Sequence, residues 1–256
     1  MQSSVIEKIE RIHVNKSSNE ISYDFSINPN LVIDIIYVGK EQEPIIIVDN
    51  LLNIPEALIQ YAESGQPFQK DAKDFYPGIR KPLAPAYAEN VYRHLIETMW
   101  TVFSSKLTVN IKLLSSVLSL TTNTPKDLRP IQSVPHFDSY LRNNIASVHY
   151  LCEPKFGGTS FYRHLQTGFE TMDSQRIHEY APTLKREVMQ SNKTFFDYIN
   201  GDTEIFARTA SIDAKFNRAI FYRSNILHSG NIQHTANLSD NPRTGRLTAN
   251  TLTSID

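Results

Sequence analysis

Residues 136–138 read HFD, and residues 218–231 read RAIFYRSNILHSGN. In an extended strand, residues i and i+2 point to the same side, so His136 and Asp138 can both face the interior of a sheet or barrel. In the second segment, an apolar strand passes through a polar turn into His228. Two imidazoles and one carboxylate are the ligand set of mononuclear non-haem iron(II) with open coordination positions. The sequence therefore predicts that His136, Asp138 and His228 bind Fe(II).

Each of these residues also has an ordinary structural interpretation. His136 and Asp138 can lie in a surface turn after Pro135, where the carboxylate only caps the turn or is solvated. His228 can be a strand-end histidine whose ring is satisfied by local hydrogen bonds. The metal hypothesis therefore depends on the three side chains meeting at one point.

The order of motifs along the chain supports a family resemblance. The HFD pair is followed by a Gly-Gly turn in FGGTSFYRH (156–164), by the strand that ends in a histidine, and by an arginine in GRLTANTLT (245–253). A strand and helix precede them in PIIIVDNLLNIPEALIQYA (44–62). Over roughly residues 44–256, this order resembles the double-stranded β-helix core of 2-oxoglutarate/Fe(II)-dependent dioxygenases.

Two shorter features narrow the resemblance. Tyr76-Pro77-Gly78 and Phe161-Tyr162-Arg163-His164 look closest to a bacterial branch near the prolyl-hydroxylase-like and phytanoyl-CoA-hydroxylase-like members. The resemblance implies a mainly β fold with flanking helices, built as a jelly-roll or cupin-like barrel. At 256 residues, a β barrel with helical additions can still be a single domain, so one domain over residues 1–256 is expected, with a strand and helix extension at about residues 1–106.

The resemblance implies an oxidative activity. 2-Oxoglutarate would be decarboxylated to succinate and CO2 while an unknown small-molecule or amino-acid-like substrate is hydroxylated. Two alternatives stay open. A cupin-like metalloenzyme could use the same ligands without 2-oxoglutarate, and a barrel without catalysis could serve as a binding module. Substrate and oligomeric state cannot be read from the sequence, because specificity lies in loops.

The resemblance also calls for a cation that holds the distal carboxylate of 2-oxoglutarate. Arg246 opens an apparent strand at 246–253, and its guanidinium could form a bidentate pair there. Arg243 competes for this role, and Arg246 lies 18 residues beyond the second histidine, farther than is usual in the superfamily. Tyr162 and His149 are further candidates for cofactor contact, although His149 can equally be a buried, hydrogen-bonded strand residue. Other candidates for the wall of the site are Gln132, Tyr140 and Asn250.

Hydrophobic periodicity and turn residues predict the elements. Helices are expected from Pro55 to Ala62, with Asn53 as N-cap, and at 87–105 and about 173–191. Strands are expected at 21–27, 31–38, 44–48, 107–120, 132–138, 145–152, 158–163, 205–212, 217–223 and 246–253. A proline-rich stretch with Pro77, Pro82 and Pro85 predicts an ordered loop, which could form a lid or wall.

Composition and residue spacing argue against several other classes of protein. A net charge of −1 gives no electrostatic footprint for nucleic acid or acidic membranes. No segment has ~18 uninterrupted apolar residues, the length of a membrane span, so a cytoplasmic protein is expected. The single cysteine, Cys152, rules out an intrachain disulfide and suits a reducing compartment. Because His149 and Cys152 are an odd number of residues apart in a strand, they face opposite sides, which argues against a Cys-His hydrolase.

Overall fold

The computed structural model describes residues 22–70, 75–104, 110–190, 197–233 and 238–255. These contain ten strands, three α-helices and three short 3-10 turns. The strands are β1 (Val32–Val38), β2 (Glu43–Asp49), β3 (Gly78–Pro82), β4 (Ile111–Thr121), β5 (Asn144–Tyr150), β6 (Thr159–His164), β7 (Phe206–Ile212), β8 (Arg218–Arg223), β9 (His228–Gly230) and β10 (Arg246–Ile255). The helices are α1 (Glu56–Glu63), α2 (Pro85–Phe103) and α3 (Ile177–Gln190).

The strands form two antiparallel sheets. The large sheet has the order β1-β2-β8-β5-β10-β4-β3, and the small sheet has the order β7-β6-β9. A single bridge between His136 and His228 adds one further residue pair beside β9. The prediction of a mainly β fold with helices is confirmed. Within the described residues neither sheet closes on itself, so a closed barrel is not seen.

The central strands of the large sheet are buried on both faces. On one face, Ile46 and Val48 of β2 pack with α1 and α2 in one core cluster. On the other face, Ile45 of β2 and Tyr222 of β8 belong to a second cluster. Phe161 of β6 reaches across to Tyr222, with 5.1 Å between ring centroids. This second cluster therefore lies between the two sheets, and we call the face of the large sheet that borders it the inner face.

The helices follow from their apolar spacing. In α2, Val91, Leu95 and Met99 are buried against the large sheet, as positions four residues apart on one helical face should be. The predicted cap at Asn53 is wrong, because α1 begins at Glu56 and its cap position is Pro55. Proline already has a helical φ and no N–H to satisfy, which suits the start of a helix.

Helix α3 covers the outer face of the small sheet, where Tyr180 packs with Tyr162 and Phe206. The helix predicted at about 173–191 is thus confirmed. None of the described helices has the length and apolar character needed to span a lipid bilayer.

Two stretches differ from expectation because of prolines. The predicted strand at 132–138 is instead a 3-10 turn at Pro130–Ser133 followed by the lone bridge at His136, since prolines cannot donate to a ladder. The proline-rich stretch predicted as a loop contains β3, which pairs with β4. β3 is an edge strand, where proline is tolerated.

The strand predicted at 21–27 is not formed as a ladder. Residue 21 lies outside the described residues, and the rest forms only a bridge from Ile27 to Leu52.

Candidate metal centre

His136 and His228 are locked side by side through their backbones. The amide of His136 donates to the carbonyl of His228 at 2.9 Å, and the amide of His228 donates back at 2.8 Å. Residues that exchange both hydrogen bonds in an antiparallel pair lie directly opposite each other. Their side chains consequently project together, with 4.4 Å between the ring centroids.

Asp138 completes the group from the turn that follows. Its amide donates to the carbonyl of Ser224 at 2.8 Å, which fixes the turn against the loop that leads into β9. One carboxylate oxygen lies 3.7 Å from Nε2 of His136, and the other lies 3.6 Å from Nε2 of His228. The ligand atoms of all three residues lie within 4.8 Å of one another. Ligands bonded at about 2.1 Å to one ion have separations of this order, so the three sequence-predicted residues are brought together in a suitable arrangement.

Local hydrogen bonding fixes which nitrogen of His228 is available. Nδ1 lies 2.9 Å from the carbonyl oxygen of Ile226. A carbonyl can only accept, so Nδ1 must carry the proton and donate. Nε2 is then the nitrogen left to face Asp138, and it is the one that could bind a metal. The ring is further held by Tyr222 and Phe161, at centroid distances of 4.8 and 6.5 Å.

The centre is open to solvent on one side. The side chains of His136 and Asp138 are 53% and 35% exposed, whereas His228 is buried. Surrounding protein, and then the nearby His228, lower the pKa of His136 below its usual value. A neutral imidazole is the form that can donate a lone pair to a metal. The open side is the direction from which a small molecule can reach the three side chains.

Arg246 is a buried cation beside β9, the strand that begins with His228. It is only 4% exposed, and its Nη2 donates to the carbonyl of Gly158 at 3.0 Å. Its Nε is buried without a hydrogen-bond partner, and within the described ranges no carboxylate forms an ion pair with it. A Cβ added to Gly230 would lie 3.8 Å from Nη2. The guanidinium therefore lies next to β9, two residues beyond His228.

A buried, uncompensated guanidinium is costly unless an anion joins it. The donor set around Arg246 thus fits a carboxylate. Arg243, the competing residue, lies on the surface with its side chain 54% exposed, paired with Glu63 at 2.6 Å. Arg246 opens β10, as predicted, and Arg243 lies in the turn before it, where the amides of Thr244 and Gly245 donate to the carbonyl of Asn241.

Two other candidates face away from the centre. The ring nitrogens of His149 pair with Tyr87 of α2 at 3.0 Å and with Asn217 at 3.1 Å, and burial lowers its pKa to about 4. Tyr162 lies in the cluster beneath α3, and its hydroxyl donates to the carbonyl of Ile199 at 3.4 Å. Neither side chain is brought to the centre.

The remaining candidates are scattered. Tyr140 is 44% exposed and packs on Phe137, beside the ligands, whereas Gln132 donates to the carbonyl of Phe75. Asn250 accepts a hydrogen bond from Thr248. The buried His164 pairs with Glu187 at 2.7 Å. Cys152 is buried, and burial raises the pKa of its thiol to about 11. His94 and His178 are exposed. His13 and His234 lie outside the described residues.

Sequence reasoning missed several residues that build the centre. They are the ring partners Phe161 and Tyr222, the carbonyl of Ser224 that fixes Asp138, and Gly158, which accepts from Arg246. The alternation in β8 could have indicated Tyr222, which shares a face with Ile220. Backbone carbonyl contacts leave no trace in residue type, so no sequence signal pointed to Ser224.

Comparison with known proteins gives a family. The model of the family described as "Family of unknown function (DUF6445)" matches residues 29–253. The chain belongs to the DUF6445 family. No curated protein matches this DUF6445 chain.

Two solved structures are similar to the DUF6445 chain at a distance. The first is HygX from Streptomyces hygroscopicus with nickel and 2-oxoglutarate bound, at 11% identity and a TM-score of 0.45, with 84% of each chain covered. The second is EvdMO1, at 12% identity and a TM-score of 0.39, with 87% of this chain and 55% of that chain covered. At these scores neither likeness bears on function.

Proposed function

We propose that this protein is a non-haem Fe(II)- and 2-oxoglutarate-dependent oxygenase that hydroxylates a small-molecule or amino-acid-like substrate. The observation that carries the proposal is the convergence of His136, Asp138 and His228 beside the buried cation of Arg246. In the proposed enzyme the two sheets act as a double-stranded β-helix whose inner face holds the reactants. Three protein ligands would leave three coordination positions open.

The metal with 2-oxoglutarate and dioxygen would supply the oxidant. The chain's own residues supply ligand geometry, orientation and a defined environment. His136 and His228 would each give a nitrogen from rings held 4.4 Å apart, and Asp138 would give an oxygen from a turn held by Ser224. Phe161 and Tyr222 pack behind His228 and keep water from its buried side.

The spacing of the cation from the ligands supports 2-oxoglutarate as co-substrate. Gly230 and His228 are two residues apart on β9, which is about 6.6 Å along a strand. They point to the same side, and Gly230 leaves room for the guanidinium of Arg246. A five-carbon dicarboxylate that would chelate the metal through oxygens of its C1 carboxylate and C2 keto group extends over a comparable distance. Arg246 would then bind the distal carboxylate, whose charge offsets the cost of the buried guanidinium.

The test compares two arginine variants by calorimetry, with protein loaded anaerobically with Fe(II). Arg246→Ala should weaken 2-oxoglutarate binding by at least about tenfold, because hydrogen bonds to charged groups contribute about 1.5–3 kcal/mol, while metal affinity stays unchanged. Arg243→Ala is the matched control and should bind 2-oxoglutarate like the wild type. A larger loss in the Arg243 variant would overturn the choice of anchor, and no loss in either would indicate a different co-substrate.

Turnover tests the reaction class separately. In air the Fe(II)-loaded wild type should slowly convert 2-oxoglutarate to succinate without any added substrate, and Asp138→Ala should not. Metal binding without succinate formation would favour a cupin-like enzyme of another type. Failure to bind any divalent metal would favour a non-catalytic binding module.

A further inference from the structure

The loop that joins β8 to β9, residues 224–227, holds two of the three candidate ligands through its backbone. The carbonyl of Ser224 accepts from the amide of Asp138 at 2.8 Å. The carbonyl of Ile226 accepts from Nδ1 of His228 at 2.9 Å. We call these residues the ligand loop. Whatever fixes the ligand loop therefore also fixes the Asp138 turn and the orientation of the His228 ring.

The ligand loop is itself held by a short extended segment that follows β6. The amide of Leu227 donates to the carbonyl of Glu170 at 2.8 Å, and the amide of Met172 donates to the carbonyl of Asn225 at 2.7 Å. Ile226 lies between these two hydrogen bonds. The carbonyl that orients His228 is thus fastened on both sides to one neighbouring piece of chain.

The Glu170 side chain ties that segment to the turn between β1 and β2. Its buried carboxylate accepts from the amides of Lys40 and Glu41 at 3.0 and 2.9 Å. In return, the Glu41 carboxylate accepts from the amide of Glu170 at 3.2 Å and from the hydroxyl of Thr171 at 2.5 Å. Hydrogen bonds to an ionised carboxylate are among the stronger ones in proteins. We call this reciprocal set of contacts the Glu41–Glu170 clasp.

The turn is shaped to receive the Glu170 carboxylate. Gly39 has φ +68°, and a Cβ added there would lie 2.1 Å from a carboxylate oxygen of Glu170. The guanidinium groups of Arg163 and Arg176 pair with Glu170 at 3.4 Å and with Glu41 at 2.7 Å. A buried carboxylate is costly unless such partners engage it. The clasp therefore holds Glu170 in one position, and the backbone of Glu170 holds the ligand loop.

We propose that Glu170 is a positioning residue of the metal centre, which acts with Glu41 to fix the loop that orients His228 and Asp138. The inference rests on the proposed function, because it explains how that centre keeps its geometry without a bound ion. Groups behind the ligands set metal affinity by holding the ligands in place. Release of the Glu170 carboxylate would loosen its backbone, the hydrogen bond to Leu227 and then the two ligands.

The first experiment measures the affinity for Co(II), whose visible absorption reports both binding and ligand geometry. Glu170→Gln keeps the side-chain size, but an amide NH2 cannot accept from a backbone N–H, so affinity should fall about tenfold. Gly39→Ala should cause a similar loss, because the new Cβ displaces the Glu170 carboxylate. Gly65→Ala is the matched control. Gly65 has φ +65° with nothing within 4 Å of an added Cβ, so this variant adds backbone strain only and should bind Co(II) like the wild type.

The second experiment measures amide hydrogen exchange in the metal-free protein. In Glu170→Gln the amide of Leu227 should exchange about tenfold faster than in the wild type, the effect of losing about one hydrogen bond. The amide of Leu151, which donates to the carbonyl of Leu247 in the large sheet at 3.0 Å, is the internal reference. Its exchange should be unchanged, because local opening of the ligand loop does not require the sheet to open.

Unchanged Co(II) affinity in Glu170→Gln and Gly39→Ala would overturn the proposal, as would an equal loss in Gly65→Ala. Equally faster exchange at Leu227 and Leu151 would also overturn it, since that result means general destabilisation. If the wild type binds no Co(II), the proposed function fails. The exchange of Leu227 then still decides whether the clasp holds the ligand loop.

Discussion

At the residue scale, two buried histidines of this chain differ in what their nitrogens are free to do. His228 uses only Nδ1, toward the carbonyl of Ile226, and keeps Nε2 directed at Asp138. His149 uses both nitrogens, toward Tyr87 and Asn217. A ring with both nitrogens engaged by protein groups has no lone pair left for a metal. His149 is thus a structural residue of the contact between the large sheet and α2.

Because His149 is buried in its neutral form, it should make stability fall in mild acid. Its pKa is about 4 in the folded protein, below the value of about 6.5 in an unfolded chain. Between these values the unfolded chain binds a proton that the folded chain does not, so the free energy of unfolding should decrease as pH falls from 6.5 to 4. The loss from this one group is at most about 3 kcal/mol.

Urea unfolding at pH 7 and pH 4.5 checks this prediction. His149→Gln cannot take up a proton in this range and should lose clearly less stability between the two pH values than the wild type. His178→Gln, at an exposed histidine, should behave like the wild type. An equal pH dependence in wild type and His149→Gln would contradict the assignment.

At the element scale, the Gly-Gly turn before β6 owes its sequence to close backbone approach as well as to φ. Gly157 has φ +76°, and a Cβ there would lie 1.6 Å from the carbonyl oxygen of Asn231. Gly168 has the same φ of +76° but nothing within 4 Å of an added Cβ. Comparing Gly157 with Gly168 therefore separates the energetic cost of backbone strain from the cost of steric conflict.

Gly168→Ala should therefore lower the free energy of unfolding by about 1 kcal/mol, the cost of a left-handed alanine. Gly157→Ala should cost at least about 2 kcal/mol more, because the backbone after β9 must move. Chemical denaturation of both variants measures the difference. Equal losses would show that the close approach at Gly157 is relieved without cost.

An ion pair connects β2 to the start of β8. Asp49 accepts from Arg218 at 2.6 Å and from Lys215 at 2.9 Å. The hydrogen bond from Arg218 dominates the lowering of the Asp49 pKa to about 2, below its unfolded value of about 3.9. The stabilisation is therefore fully present above about pH 4 and is lost as pH falls toward 2.

Asp49→Asn should reduce the free energy of unfolding at pH 7 by up to about 2 kcal/mol, and the difference from the wild type should shrink toward pH 2. Thermal or urea unfolding across this pH range gives the measurement. Asp240→Asn, at an exposed aspartate, serves as control. If the stability difference between Asp49→Asn and the wild type persisted at pH 2, the charges of the ion pair would not be the source of the stabilisation.

The sequence predicted elements better than it predicted which way their side chains point. Every residue of β5 is buried, so no alternation marks one face, and His149 could not be assigned to a side. β6 is likewise buried along almost its whole length, so its pattern did not show which residues face the large sheet. Phe161, rather than the predicted Tyr162, faces His228. Arg246 had no such ambiguity, because it opens its strand.

At the scale of the whole molecule, the inner face of the large sheet divides into two halves. On β2, β8 and β5 it is apolar, with residues such as Ile45, Tyr222 and Val148. On β10 and β4 it is polar and carries Thr248, Ser119 and Arg246. The apolar half joins the sheets, and in the proposed enzyme the polar half would supply groups for reactants. This division depends on strand order, which residue patterns along one chain do not reveal.

The central claim is that His136, Asp138 and His228 together bind one divalent metal ion. The most direct measurement is metal content after anaerobic equilibrium dialysis against Fe(II), for wild type, Asp138→Ala and the control His178→Ala. The account predicts one ion per chain in the wild type and the control, and strong depletion at the same free Fe(II) in Asp138→Ala, since losing one of three ligands removes both affinity and geometry. Equal metal content in Asp138→Ala and the wild type, or none in the wild type, would contradict it.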